Sequence, residues 1–131
     1  MFVDASALVA ILTREPAAGQ LAARLQQSRV SYTSAIALYE AALGIARIRR
    51  ISATEARGAV EKFLSTTSIR SVAITAEIGQ GAVVAFERFG RGNHRARLNM
   101  GDCFSYACAR SLGVPLLCKG DDFPHTDIDL A

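Results

Sequence analysis

The sequence holds only two lysines, Lys62 and Lys119, two histidines and three cysteines, and no long apolar run free of charge. Each shortage excludes something. Without an uncharged run of roughly 18 residues, no segment is suited to span a bilayer as a helix. The charge at Asp4, in Met1-Phe2-Val3-Asp4, comes too early for the apolar core of a secretory signal. A cytoplasmic protein that does not associate with membranes is expected. Cys103, Cys108 and Cys118 are odd in number and lack C-x-x-C spacing, which speaks against a disulfide framework and against a zinc site. They read as small core residues. His94 lies in a basic stretch and His125 in the tail; neither fits a metal motif, and both read as surface residues. No internal repeat, charge block or Pro-, Gly- or Ser-rich linker divides the chain, so residues 1–131 are expected to form one domain.

What is present describes a folding sequence. Hydrophobic residues make up 50% and charged residues 21%, which excludes a disordered or low-complexity chain. The net charge is +3, and all but two of the 15 basic residues are arginine. Arginine's planar fork suits phosphate, although a GC-rich genome would enrich arginine equally well. Charge by itself is therefore a weak pointer to nucleic acid.

Strand and helix signals alternate. Met1 to Val3 reads as a short buried strand, Ala5 to Leu12 as a helix stopping before Pro16, and Ala17 to Gln27 as a second helix with Leu21 and Leu25 four apart. Val30 to Thr33 is a strand, and Ser34 caps a long helix from Ala35 to about Arg50. Ser52-x-x-Glu55 has the form of a capping box, opening a helix whose apolar face is Val60, Phe63 and Leu64. Ile69 to Ile74 is a strand, and Thr75 caps a helix through Phe89. Gly90 to Leu98 is a basic loop, Asn99 to Leu112 a helix stopped by Gly113, and Val114 to Cys118 an apolar strand; Thr126 to Leu130 is expected to add a short edge strand. Strands separated by helices imply an α/β fold, a three-layer α/β/α sandwich around a mainly parallel sheet.

In such sheets ligands bind beyond the carboxyl ends of the strands. Asp4 follows one strand and Asp121-Asp122 another, so both are expected on the same sheet edge. As isolated features, Asp4 is equally an N-cap and Asp121-Asp122 an ordinary turn. Glu40 is more informative. Its helical neighbours Ile36, Ala37, Leu43 and Gly44 are apolar or small, and a carboxylate on such a stripe is costly unless an arginine or a metal compensates it. Asp102 sits in the first turn of a helix that Asn99 can cap, which the helix dipole favours for structural reasons, and it too can face the strand ends. Four converging carboxylates require a hard cation, and oxygen ligands select Mg²⁺ or Mn²⁺ over zinc.

Taken in order, Phe2-Val3-Asp4-Ala5-Ser6, Tyr32-Thr33-Ser34 with Glu40, Asn99-Met100-Gly101-Asp102-Cys103 and Lys119-Gly120-Asp121-Asp122-Phe123 resemble the PIN-domain toxins of the VapC type, over nearly the whole chain. The resemblance implies an endoribonuclease, the toxin of a toxin–antitoxin pair and a homodimer, using Mg²⁺ with Mn²⁺ able to substitute. It puts the metal and the catalysis on Asp4, Glu40, Asp102 and Asp122. Either Asp121 or Asp122 can fill the last position, and Asp122, directly before Phe123, is preferred. Ser6 matches a small hydroxyl residue often found two positions after the first aspartate. Arg88, Arg91, Arg95 and Arg97 are candidates to follow an RNA backbone. The implied antitoxin would send a basic tail into the acids and lay apolar residues in a groove between the helices of 17–27 and 35–50.

Two other chemistries use the same acids. A phosphotransferase of doubly wound fold would employ Asp4 as nucleophile, but such enzymes commonly carry a second aspartate two positions later, where this chain has Ser6. A non-catalytic module would receive a basic peptide on the acidic cluster and need no metal.

Overall fold

Phe2 and Val3, both fully buried, form the central strand of a computed structural model that describes residues 1–131. The chain runs β1 (Phe2–Val3), α1 (Ala5–Leu12), α2 (Ala18–Gln27), β2 (Tyr32–Ser34), α3 (Ala35–Arg49), α4 (Ala53–Thr66), β3 (Arg70–Val72), α5 (Ala76–Phe89), α6 (Met100–Leu112) and β4 (Leu116–Leu117), then a 3-10 turn at Phe123–His125. The sheet order is β3-β2-β1-β4, and every pairing is parallel. This is the three-layer α/β/α sandwich expected from the alternation of elements.

The strands are short, yet their alternation separates two cores. Phe2 pairs with Leu116 and Val3 with Leu117. Successive strand side chains point to opposite faces, so Phe2 and Leu116 join the core under α5 and α6, with Ile78, Phe89, Leu98 and Cys108. Val3 and Leu117 join the core under α1 to α4, with Leu8, Leu21, Ile45 and Val60. Burying a side chain of this size contributes about 1.5–3 kcal/mol, which is what holds two-residue strands in place.

Local signals end the helices where the sequence suggests. Ser34 Oγ accepts from Ala37 N at 3.2 Å, Thr75 caps α5, and Ser52 with Glu55 forms the complete capping box. Gly113, at φ 62°, supplies the left-handed residue that stops α6.

The chain differs from expectation in several places: β3 spans Arg70–Val72 rather than Ile69 to Ile74, and β4 spans Leu116–Leu117 rather than Val114 to Cys118. The second strand begins at Tyr32 rather than Val30, because the Val30 carbonyl instead accepts from the Met1 ammonium and from Ser28 Oγ. The tail forms no edge strand: Leu116 bonds both Asp129 and Ala131, giving one isolated bridge to Leu130. Only Leu116 turns its backbone groups toward the tail, since the Pro115 and Leu117 carbonyls face β1 and accept from Phe2 N and Asp4 N, and β4 ends at Leu117. Finally, α1 packs on both α2 and α3, and an apolar cleft of about 460 Å³ opens between α3 and α4, lined by Leu38, Tyr39, Ala42 and Leu43.

The order of connections positions the site. The chain winds outward from β1 through β2 to β3, then returns to place β4 on the other side of β1. That reversal opens a crevice at the carboxyl ends of β1 and β4.

Candidate active site

Asp4 stands at the end of β1 and is 3% exposed. One of its oxygens does structural work: Oδ2 accepts from Ser6 N at 2.9 Å and Ser6 Oγ at 2.6 Å, capping α1. The other, Oδ1, is buried and has no hydrogen-bond partner, the single buried side-chain polar atom so placed. An orphaned carboxylate oxygen is costly, so the N-cap accounts for half of this residue and leaves half unexplained.

The loop after β4 is tied to Asp4 through Ser6, whose Oγ accepts from Lys119 N at 2.9 Å. The Asp4 N–H also reaches the Leu117 carbonyl at 2.9 Å. Two strand ends are thereby locked together at the crevice. Beyond them Asp122 is exposed and precedes the buried Phe123.

Asp102 lies in the first turn of α6, in a capping box. Its Oδ2 accepts from Asn99 N at 2.8 Å, and Asn99 Oδ1 accepts from Asp102 N at 3.0 Å. Burial pushes its carboxyl up to about 7; the Asn99 hydrogen bond opposes this, and the charges of Asp4, Asp122 and Glu40 add to it. Asp122, rather than the neighbouring Asp121, is the one whose charge acts on Asp102.

Glu40 is half-buried on the flank of α3, beside the buried stripe of Ala37, Ala41, Ala42 and Ile45. Its carboxyl is raised by burial and then by Asp4. No arginine compensates it. The three ion pairs of the molecule are Arg57–Glu61, Arg88–Asp127 and Lys119–Glu15, none involving the four acids. The Glu40 carboxylate lies against Gly101, where a Cβ would collide with it. In the sequence Gly101 stands out only as part of a motif, and nothing in the helical pattern marks this contact between α3 and α6.

Other expected residues fall differently. Cys103 and Cys108 are buried and Cys118 is half-buried. Burial first, then Asp4 and Asp102, pushes the Cys118 thiol up to about 12, so it stays protonated. His94 is less of a surface residue than expected: its Nδ1 accepts from Ala96 N at 3.1 Å and its ring meets Phe89 edge-on, pinning the basic loop. Arg88 is held by Asp127 at 2.9 Å, away from any free basic track, whereas Arg91, Arg95 and Arg97 are exposed on the loop leading to Asn99.

The donor set fits a hard divalent cation: four carboxylates, no compensating base, and one buried oxygen without a partner. As the side chains stand, no three acids draw together into a group able to hold a metal, and Asp102 turns one oxygen onto its own helix terminus. None of the four acids lines the clefts between α3 and α4, between α5 and α6 or between α2 and α4.

Comparison with known proteins agrees with this geometry. The PIN domain profile matches residues 1–129. Ribonuclease VapC30 of Mycobacterium tuberculosis is 40% identical over 129 residues, covering 98% of this chain and 95% of that protein. Ribonuclease VapC of Mycolicibacterium smegmatis is 41% identical over 129 residues, covering 98% and 97%. Among solved structures, VapC20 of Mycobacterium tuberculosis, described as a sarcin-ricin loop cleaving toxin, superposes with a TM-score of 0.76 at 25% identity, over 99% of this chain and 97% of that one. A family profile over nearly the whole chain and relatives at 40–41% identity show that the chain belongs to the PIN-domain family and, within it, to the VapC ribonucleases.

Proposed function

We propose that this protein is a Mg²⁺-dependent endoribonuclease, the toxin of a toxin–antitoxin pair, hydrolysing RNA phosphodiester bonds at Asp4, Glu40, Asp102 and Asp122. The observation that carries the reading is the buried, unpartnered Oδ1 of Asp4 at the end of β1, together with an Asp102 carboxyl that feels the charges of Asp4, Asp122 and Glu40 with no ion pair to offset them. Mg²⁺, with Mn²⁺ able to substitute, would be held by the four carboxylates and would supply acidification of water and neutralisation of charge on the scissile phosphate.

The protein's own groups do the rest. Ser6, itself held by Lys119 N, fixes Asp4 Oδ2 and leaves Oδ1 without a protein partner. Asn99 fixes Asp102 in the same way. Glu40 and Asp122 each lie within electrostatic reach of Asp102, and either carboxylate is a proton acceptor for the attacking water. Arg91, Arg95 and Arg97 are free to follow the RNA backbone toward Asn99 and Asp102.

The same negative crevice supports an antitoxin whose basic tail enters and bonds the acids. Exposed apolar side chains support a homodimer: Tyr39 and Leu43 on α3, Val83 and Phe86 on α5, and Met100 on α6. A cytoplasmic location accords with an RNA substrate, and no helix is long and apolar enough to cross a membrane.

The test is RNA cleavage by the purified chain with Mg²⁺ and with chelator. Cleavage is expected only with the metal; undiminished cleavage in chelator would overturn the metal assignment, and no cleavage under any metal would overturn the nuclease.

A further inference from the structure

Gly101 is buried at the second position of α6, and its backbone has no left-handed φ. Nothing in the local conformation calls for glycine there, and alanine would favour the helix. The three atoms nearest a Cβ at this position are Oε2, Oε1 and Cδ of Glu40, all nearer than non-bonded atoms can come. The volume a side chain would fill is thus the volume the Glu40 carboxylate occupies. The other buried glycine of comparable tightness, Gly90, meets only its own helix turn at Phe86.

We propose that Gly101 is a positioning residue: its missing side chain is the seat of the Glu40 carboxylate and sets Glu40 against the first turn of α6, next to Asp102. The α3 and α6 helices touch, so the seat is a helix crossing in which one element lends backbone and the other a carboxylate. Glu40 has no hydrogen-bond partner of its own to hold it there, so the available space determines where it sits. The Gly101→Ala change displaces only the far end of a flexible side chain, leaving the fold intact while Glu40 swings out of the cluster. Sequence reasoning places Glu40 and Asp102 separately; the seat connects them.

For its catalytic readout this inference rests on the ribonuclease reading, and its stability readout is independent of it. The experiment compares the parent, Gly101→Ala, Glu40→Ala and the double variant. Cleavage by Gly101→Ala is expected to fall about 10- to 100-fold, as when support for a metal ligand is removed, and the double variant is expected to be no slower than Glu40→Ala. In metal-free buffer the Tm change caused by Gly101→Ala is expected to differ by roughly 2 °C or more between the parent and the Glu40→Ala background, since contacting residues are not additive. Should Gly101→Ala fail to fold while the double variant folds, the collision with Glu40 is confirmed. Equal Tm changes in the two backgrounds, failure of both Gly101→Ala and the double variant to fold, or parental cleavage by Gly101→Ala would overturn the seat. A parent that cleaves no RNA would defeat the nuclease reading, and the Tm comparison would still decide the seat.

Discussion

The Ser6 hydroxyl donates to Asp4 Oδ2 at 2.6 Å while accepting from the Lys119 backbone N–H, so one side chain sets the angle of the first acid and joins it to the loop carrying Asp122. Ser6→Ala removes both links. Stability is expected to drop by about 1–2 kcal/mol for the lost hydrogen bonds, and cleavage by about 10- to 100-fold as Asp4 loses its orientation. Ser6→Thr keeps the hydroxyl and is expected to restore most of both. Denaturant melts and kcat/KM on one RNA check this, and an alanine variant with parental kcat/KM would refute the positioning role.

Asp102 makes the metal-free protein pH-sensitive. Its folded-state pKa is raised to about 7 from an ordinary 3.8, so the folded state binds the proton more tightly than the unfolded chain. The stability from this group is fully present below about pH 4 and is lost as pH rises through about 7, on the order of 2 kcal/mol after solvent screening. Glu40, also raised, acts in the same direction. In chelator, Tm is expected to fall between pH 5 and pH 8, and Asp102→Asn to flatten the slope. A parental slope in that variant would contradict the prediction.

Replacing Asp4 by Asn removes one charge from a crowded, uncompensated site while changing little of its shape. The variant is expected to melt above the parent in chelator, because like charges repel, and to gain less from added Mg²⁺, because a ligand bound only by the folded state raises its stability. Thermal melts with and without Mg²⁺ decide. Absence of any Mg²⁺ effect on the parent would count against a shared cation.

The tail is held at a different place. Tyr106 Oη donates to Asp127 Oδ1 and Arg88 bonds Asp127 Oδ2, keeping the Asp127 carboxyl below the usual range. Tyr106→Phe is expected to cost about 1 kcal/mol and to leave cleavage unchanged, since Asp127 is not among the charges acting on Asp102. Loss of cleavage in the folded variant would show the tail to be coupled to the site.

Much of this arrangement was legible in the chain itself. Caps at Ser34, Ser52, Thr75 and Asn99 are local chemistry, and the helices they begin appear where the residues indicate. Asp4 directly follows β1, and Asp121-Asp122 follow β4 after the Lys119-Gly120 turn, an order that can be read from the residues. What sequence could not supply depends on distant backbone. The tail meets β4 at a single bridge because β4 is only two residues long, and α1 packs against both α2 and α3. His94 and Arg88 are held by Ala96 and Asp127, and Gly101 and Glu40 meet only once two helices cross. That the charge of Asp122 acts on Asp102 is a matter of position that spacing does not encode.

The central claim, that these acids form one RNA-cleaving site, is tested most directly by assaying purified parent, Asp4→Asn and Asp102→Asn side by side on the same RNA with Mg²⁺. The prediction is cleavage by the parent alone, with both variants folded by circular dichroism. Parental cleavage by either folded variant would contradict it.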